Sequence, residues 1–261
     1  MVAFGFRTRG AYFMGLSVYQ LLWVMLPAIL AGFIHSVTGF GAGIVLMIFF
    51  PVVFSIIQSA ALSQSIVLFL CILLLYRYRK SVNIKSTLLP LVIYFPVYFA
   101  ALTVAVNIRA DFLKPILGIS FLGMAIYLIF FSEKFTIRAG VLSAFTCSAL
   151  AAVIDAFFGI GGPPIVLYFL ATTKSKEEYL GTLQAYFAVA GIYGVTVRIL
   201  KGQITGSMIP LIAGGVLVLM IGVFLGNKVV GRINAEMLRK LVYGFIGVVG
   251  VITFITSFID I

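Results

Sequence analysis

Leu30-Ala31-Gly32-Phe33-Ile34-His35-Ser36-Val37-Thr38-Gly39-Phe40-Gly41-Ala42-Gly43 and Leu150-Ala151-Ala152-Val153-Ile154-Asp155-Ala156-Phe157-Phe158-Gly159-Ile160-Gly161-Gly162-Pro163-Pro164 are two glycine breaks inside apolar segments. Adding 120 takes Gly39 to Gly159 and Gly41 to Gly161, and sets His35 opposite Asp155. A duplicated, interrupted helix in a membrane protein points to a transporter's binding site.

Composition supports the membrane part of that reading. The chain is 63% hydrophobic and only 10% charged, with a mean hydropathy of +1.23. Its charges cluster between apolar runs, several of which reach the ~18–20 residues that cross a bilayer as a helix. Backbone groups in lipid must bond within the chain, and the runs lack the alternation of a barrel strand. An all-α polytopic membrane protein is expected, as one membrane domain over 1–261 retained at a cell inner (plasma) membrane. The net charge of +11 sits in loops, where it sets orientation. No basic stripe with interleaved aromatics favours nucleic acid. Cys71 and Cys147 fit small core residues, with no metal-ligand spacing. A phosphate-binding G-x-x-x-x-G-K-[ST] loop is absent, no hydrolytic arrangement stands out, and no cofactor is expected.

Working outward from the breaks, apolar segments run at about 16–34, 43–54, 57–76, 86–106 and 111–131, then 139–154, 163–172, 178–199, 206–226 and 236–259. The second of each five is nearer a half-helix than a crossing. Ser55-Ile56-Ile57-Gln58 and Ser175-Lys176-Glu177-Glu178 both read as capping boxes, Gln64 matches Gln184, and Pro90-Leu91 matches Pro210-Leu211, all at the spacing of 120. The chain divides into repeats of about 17–131 and 139–259, giving 8–10 transmembrane or re-entrant helices. An odd number of crossings per repeat inverts the second copy. It would place Arg77, Arg79, Lys80, Lys85, Lys134, Arg138, Lys174, Lys176, Lys228, Arg232, Arg239 and Lys240 on one side. Arg7, Arg9, Arg109, Lys114, Arg198 and Lys201 would lie opposite, a split of 12 to 6 against 10 to 8 for an even number. The positive-inside rule favours inverted repeats.

The breaks also suggest the chemistry. Each is the end of one helix and the start of the next, with Pro163-Pro164 suited to a first turn. A helix N-terminus offers unpaired N–H groups and partial positive charge, an anion site. Two such ends meeting in mid-membrane would hold one oxyanion among Thr38, Gly39, Phe40, Gly41 and Gly43 of the first break and Gly159, Gly161, Gly162 and Pro163 of the second. Glycines that merely allow close helix packing are the competing reading. Gln64 and Gln184, one helix on, would donate to the anion or else bond helix to helix. His35 and Asp155 are the ionisable residues placed deep in the membrane, where such groups mark function. They are candidates for proton coupling, with burial favouring a neutral Asp155.

The doubled break resembles the TauE/SafE family of sulfite exporters, over about residues 17–258. The resemblance implies a bacterial-type inner-membrane permease for sulfite, small organosulfonates or related small organic acids, commonly with eight spans. The chain is thus expected to be a secondary permease for a small anion, not an enzyme, with the lipid bilayer and that anion as partners. An anion channel, or a membrane-embedded enzyme using His35 and Asp155 on a lipid-linked substrate, remain as alternatives. The anion, the direction, the coupling ion and the oligomeric state are open.

Overall fold

Both breaks fall where one helix stops and another starts. The computed structural model describes residues 12–13, 16–130, 140–229, 244 and 246–255. Helix α1 (Val18–Thr38) gives way to the short α2 (Ala42–Phe49). Helix α6 (Val141–Phe158) gives way in the same manner to α7 (Gly162–Thr172). Adding 120 to the last residue of α1 and the first of α2 lands on the last of α6 and the first of α7. The same shift carries the start of α3 (Ile56–Tyr78) to that of α8 (Lys176–Leu200). Helices α4 (Ile84–Asn107) and α5 (Ala110–Phe130) follow in the first half, α9 (Ile209–Val229) and α10 (Ile246–Ile255) in the second. A two-residue antiparallel pairing of Tyr12–Phe13 with Leu16–Ser17 precedes α1.

Local chemistry accounts for these ends. Gly39 at φ +83° and Gly159 at φ +67° stop α1 and α6 in the left-handed conformation that costs glycine little. Ser55 and Gln58 form the full capping box on α3. The second box is only half made. Ser175 Oγ accepts from Glu178 N–H, but the Glu178 carboxylate turns to Asn83 Nδ2 (2.8 Å) and Lys174 N (3.0 Å). Pro90 lies inside α4 whereas Pro210 opens α9, because a 3₁₀ turn at Gly206–Met208 delays that helix.

Among the described residues, six helices, α1, α3, α4, α6, α8 and α9, are long and apolar enough to cross a membrane, and four shorter apolar ones accompany them. Outward faces are apolar too, with Leu22, Leu26 and Leu30 on α1 and Leu217, Ile221 and Phe224 on α9 all exposed. Patches of that size suit lipid rather than water. At the ends of the helices, the Arg79 guanidinium lies 4.1 Å from the Tyr76 ring and Lys201 Nζ 4.9 Å from that of Phe99, the aromatic–cation pairing of a membrane interface. The protein is an all-α polytopic membrane protein.

The halves interlock through small residues. Helices α1 and α9 run parallel: Val24 packs at Gly215, Ile29 at Gly222 and Phe33 at Gly226. The pair α4 and α6 is likewise parallel, with Ser148 donating to Pro90 O and Asp155 meeting Tyr94. Helices α3 and α8 run antiparallel, since Gln64 meets Gly194, Leu68 meets Gly191 and Tyr78 meets Gly181. So do α5 and α10, through Gly118 with Phe254 and Leu122 with Gly250. The antiparallel pairing draws the end of α3 to the start of α8, where Asn83 N–H donates to Thr182 Oγ1. Arg77, Arg79, Lys80, Lys85, Lys174 and Lys176 thereby fall at one end of the bundle. Lys134, Arg138, Arg232, Arg239, Lys240, Arg7 and Arg9 lie outside the described residues. Arg198 needs correction: it is no loop charge but a fully buried side chain within α8, 0% exposed.

Candidate functional site

The two breaks close on one cavity. A Cβ built on Gly43 would fall 2.9 Å from the carbonyl oxygen of Gly159, so the start of α2 touches the end of α6. The space beside them, about 80 Å³, is lined from the breaks by His35, Phe40, Gly41, Gly43, Asp155, Gly159, Gly161, Gly162 and Pro163. Gln64 and Cys71 of α3, Tyr94 of α4, and Tyr186 and Gly191 of α8 complete the wall. These positions lie midway along α3 and α8, hence midway across the layer those helices span. Among the expected residues, Gly39 and Gln184 sit behind the wall. Gln184 Nε2 donates to Gly39 O at 3.4 Å. Thr38 closes α1, but its side chain lies outside the described residues.

The paired glycines serve different ends. Gly41, at φ +97°, is the N-cap residue of α2 and has open space where a Cβ would stand. Its backbone angle is what calls for glycine. Gly161 has an ordinary φ of −68°, but a Cβ there would come 2.6 Å from Ala151 O. Space is what calls for glycine at that position.

The second break is filled by the protein's own side chains. Asp155 Oδ1 accepts from Gly161 N–H at 3.3 Å, which puts a carboxyl group at the start of α7. Its Oδ2 accepts from Gln64 Nε2 at 3.0 Å and from Tyr94 OH. Gln64 Oε1 in turn accepts from Tyr98 OH (2.9 Å) and from Arg198 Nε (2.8 Å). Arg198 gives three further hydrogen bonds, to Gln203 Oε1 and to the backbone carbonyls of Asp155 and Ala156, at 2.8, 3.2 and 2.8 Å. A buried cation therefore covers the carbonyl end of α6 while a partly buried acid covers the amide end of α7, each in the favourable sense of the helix dipole. Two expectations change. The Gly161 N–H is already taken, and Gln64 binds α3 to α4, α6 and α8 through its carbonyl oxygen and one of its two amide N–H groups.

The first break has no such filling. His35 is 2% exposed and lines the cavity, yet neither ring nitrogen has a hydrogen-bond partner among the described residues. Gln184 Oε1 is also buried without a partner. Among the described residues no side chain caps α2, and the N–H groups of Ala42, Gly43 and Ile44 lack intrahelical acceptors by helix geometry.

Sequence reasoning missed Arg198, Tyr94 and Tyr98. For Arg198 there was a signal. It follows Gly191 and Gly194 at spacings of three and four, on one helix face, within the apolar run Val197-Arg198-Ile199-Leu200. Lys201-Gly202 just beyond made it read as a loop charge. The tyrosines carry no repeat signal, since adding 120 reaches Gly214 and Val218.

No curated protein and no solved structure matches this chain. A family model described as Sulfite exporter TauE/SafE does, over residues 24–253. That match runs from within α1 to within α10 and takes in both breaks and the cavity between them, so the chain belongs to the TauE/SafE family of membrane transporters.

Proposed function

We propose that this protein is a secondary permease for a small oxyanion, sulfite or a small organosulfonate, bound in the cavity between the two breaks. The observation that carries this reading is the cavity itself. It lies at mid-helix depth, has a helix start in its wall, and offers about 80 Å³ against roughly 10–15 Å³ for one water. The antiparallel meeting of α3 with α8 and of α5 with α10 supports inverted repeats, which alternate access by rocking one half on the other. The basic end around Arg77–Lys85 and Lys174–Lys176 is the cytoplasmic one by the positive-inside rule, in an inner (plasma) membrane. Of the two proton-coupling candidates, Asp155 is held by three donors, which leaves His35 for that part.

Counterflow in proteoliposomes tests the proposal. Vesicles loaded with unlabelled sulfite should transiently accumulate labelled sulfite. Equilibration without overshoot would indicate a channel, and chemical conversion of the substrate an enzyme. Either overturns the carrier reading.

A further inference from the structure

The two breaks match in sequence and differ in how they are filled. Of the polar partners of the second, Gln64 alone has a like counterpart at the first, Gln184, which donates to Gly39 O. Adding 120 relates Arg198 to Tyr78, Tyr94 to Gly214 and Tyr98 to Val218, and puts His35 in the place of Asp155. The second half thus holds a carboxyl group at a helix start, backed by a buried guanidinium. Among the described residues, the first half offers a helix start with no capping side chain and a buried imidazole with neither nitrogen partnered, facing the same cavity.

We infer that Asp155, held in its charged form by the Gly161, Gln64 and Tyr94 donors against the burial that favours the neutral acid, is a built-in anion occupying the second of two equivalent oxyanion places, so that the cavity admits a single exogenous oxyanion, at the first. There the ligand takes the position Asp155 takes in the other half. It receives the N–H groups at the start of α2 and an N–H from His35, since a neutral imidazole always has one to give. Asp155 also states the chemistry of the site: two acceptor oxygens on one small head group, as in a carboxylate, a sulfonate or sulfite. Specificity is confined to one side of the ligand, because Gln64 and Tyr94 are already turned towards Asp155 and Arg198 towards Gln64. The inference rests on reading the cavity as an anion site.

Vacating the built-in place tests it. Removing the Asp155 carboxyl leaves Arg198 buried without its counter-charge, and a small anion that fills the gap stabilises the fold by mass action. Purified Asp155→Ala should melt below the unaltered protein and regain most of that loss in formate. Asp155→Asn, whose amide fills the space, should respond to formate no more than the unaltered protein does. His35→Gln alone should lose the stabilisation that sulfite confers, while the double variant Asp155→Ala/His35→Gln should keep the formate recovery. Asp155→Ser, smaller and neutral, serves the same comparison if the alanine variant does not insert. The inference is overturned if formate raises Asp155→Ala no more than Asp155→Asn, or if His35→Gln keeps the full sulfite response. Formate recovery in a protein that sulfite never stabilises would uphold the built-in anion and overturn sulfite as the substrate.

Discussion

Arg198 shows how much one side chain can organise in a membrane protein. Its guanidinium meets side-chain oxygens of Gln64 and Gln203 and two carbonyls of α6, so it fixes where three helices sit. Breaking one side of a buried charged network costs about 3–5 kcal/mol. Arg198→Ala should therefore lose most of the folded yield or melt far lower, as size-exclusion and thermal-melt measurements would read. Arg198→Lys should recover little, because an ammonium lacks the planar fork. A lysine variant with native stability would mean that charge alone matters. The glycines divide along the lines of their surroundings. At Gly41 alanine meets open space and only a backbone strain of ~1–3 kcal/mol. At Gly161 it meets the Ala151 carbonyl. Gly41→Ala should therefore insert and fold with weakened substrate binding, whereas Gly161→Ala should displace α7 and lose stability as well. Equal melting temperatures for the two would contradict this division.

At the scale of elements, close approach holds the halves together. A Cβ on Gly32 would fall 2.1 Å from Leu219 O, and one on Gly222 2.0 Å from Ile29 O, so α1 and α9 touch backbone to backbone. Small residues make that contact possible where no hydrophobic effect drives helices together. Gly222→Leu should push the pair apart and cost at least the ~1–3 kcal/mol typical of overpacking. Gly123→Leu, at a position with nothing within 4 Å of a Cβ, should be nearly neutral in the same melting assay. The ends of most helices were legible beforehand because they depend on near neighbours: a left-handed glycine, a serine cap, a proline in the first turn. The half-formed box at Ser175 shows the limit, since Glu178 was drawn off by Asn83 from the other half of the chain.

For the whole molecule, the direction of α3 against α8 carries the topology. If equivalent helices run opposite ways, the turn at Arg79–Ser81 and the loop at Lys201 and Gly202 face opposite sides of the membrane. Cysteines placed at Lys80 and at Lys201, with Cys71 and Cys147 replaced by alanine, should react with an impermeant maleimide from opposite faces of oriented vesicles. Labelling of both from one face would refute the inverted arrangement.

The sequence by itself determined that the chain crosses a membrane, where its helices break, and that the breaks recur at 120. Each of those rests on composition, periodicity and residues close in the chain. Both breaks and Gln64, which obey the repeat, line the cavity. Only the tertiary structure decided which groups face each other there. Gln64 and Asp155 are 91 residues apart, and Gln64 and Arg198 are 134 apart. Partners so distant leave no local pattern, and a repeat predicts that equivalent places are filled alike. Folding filled one with Asp155 and left the other to His35, because a buried polar group is satisfied by whatever the packing brings within reach.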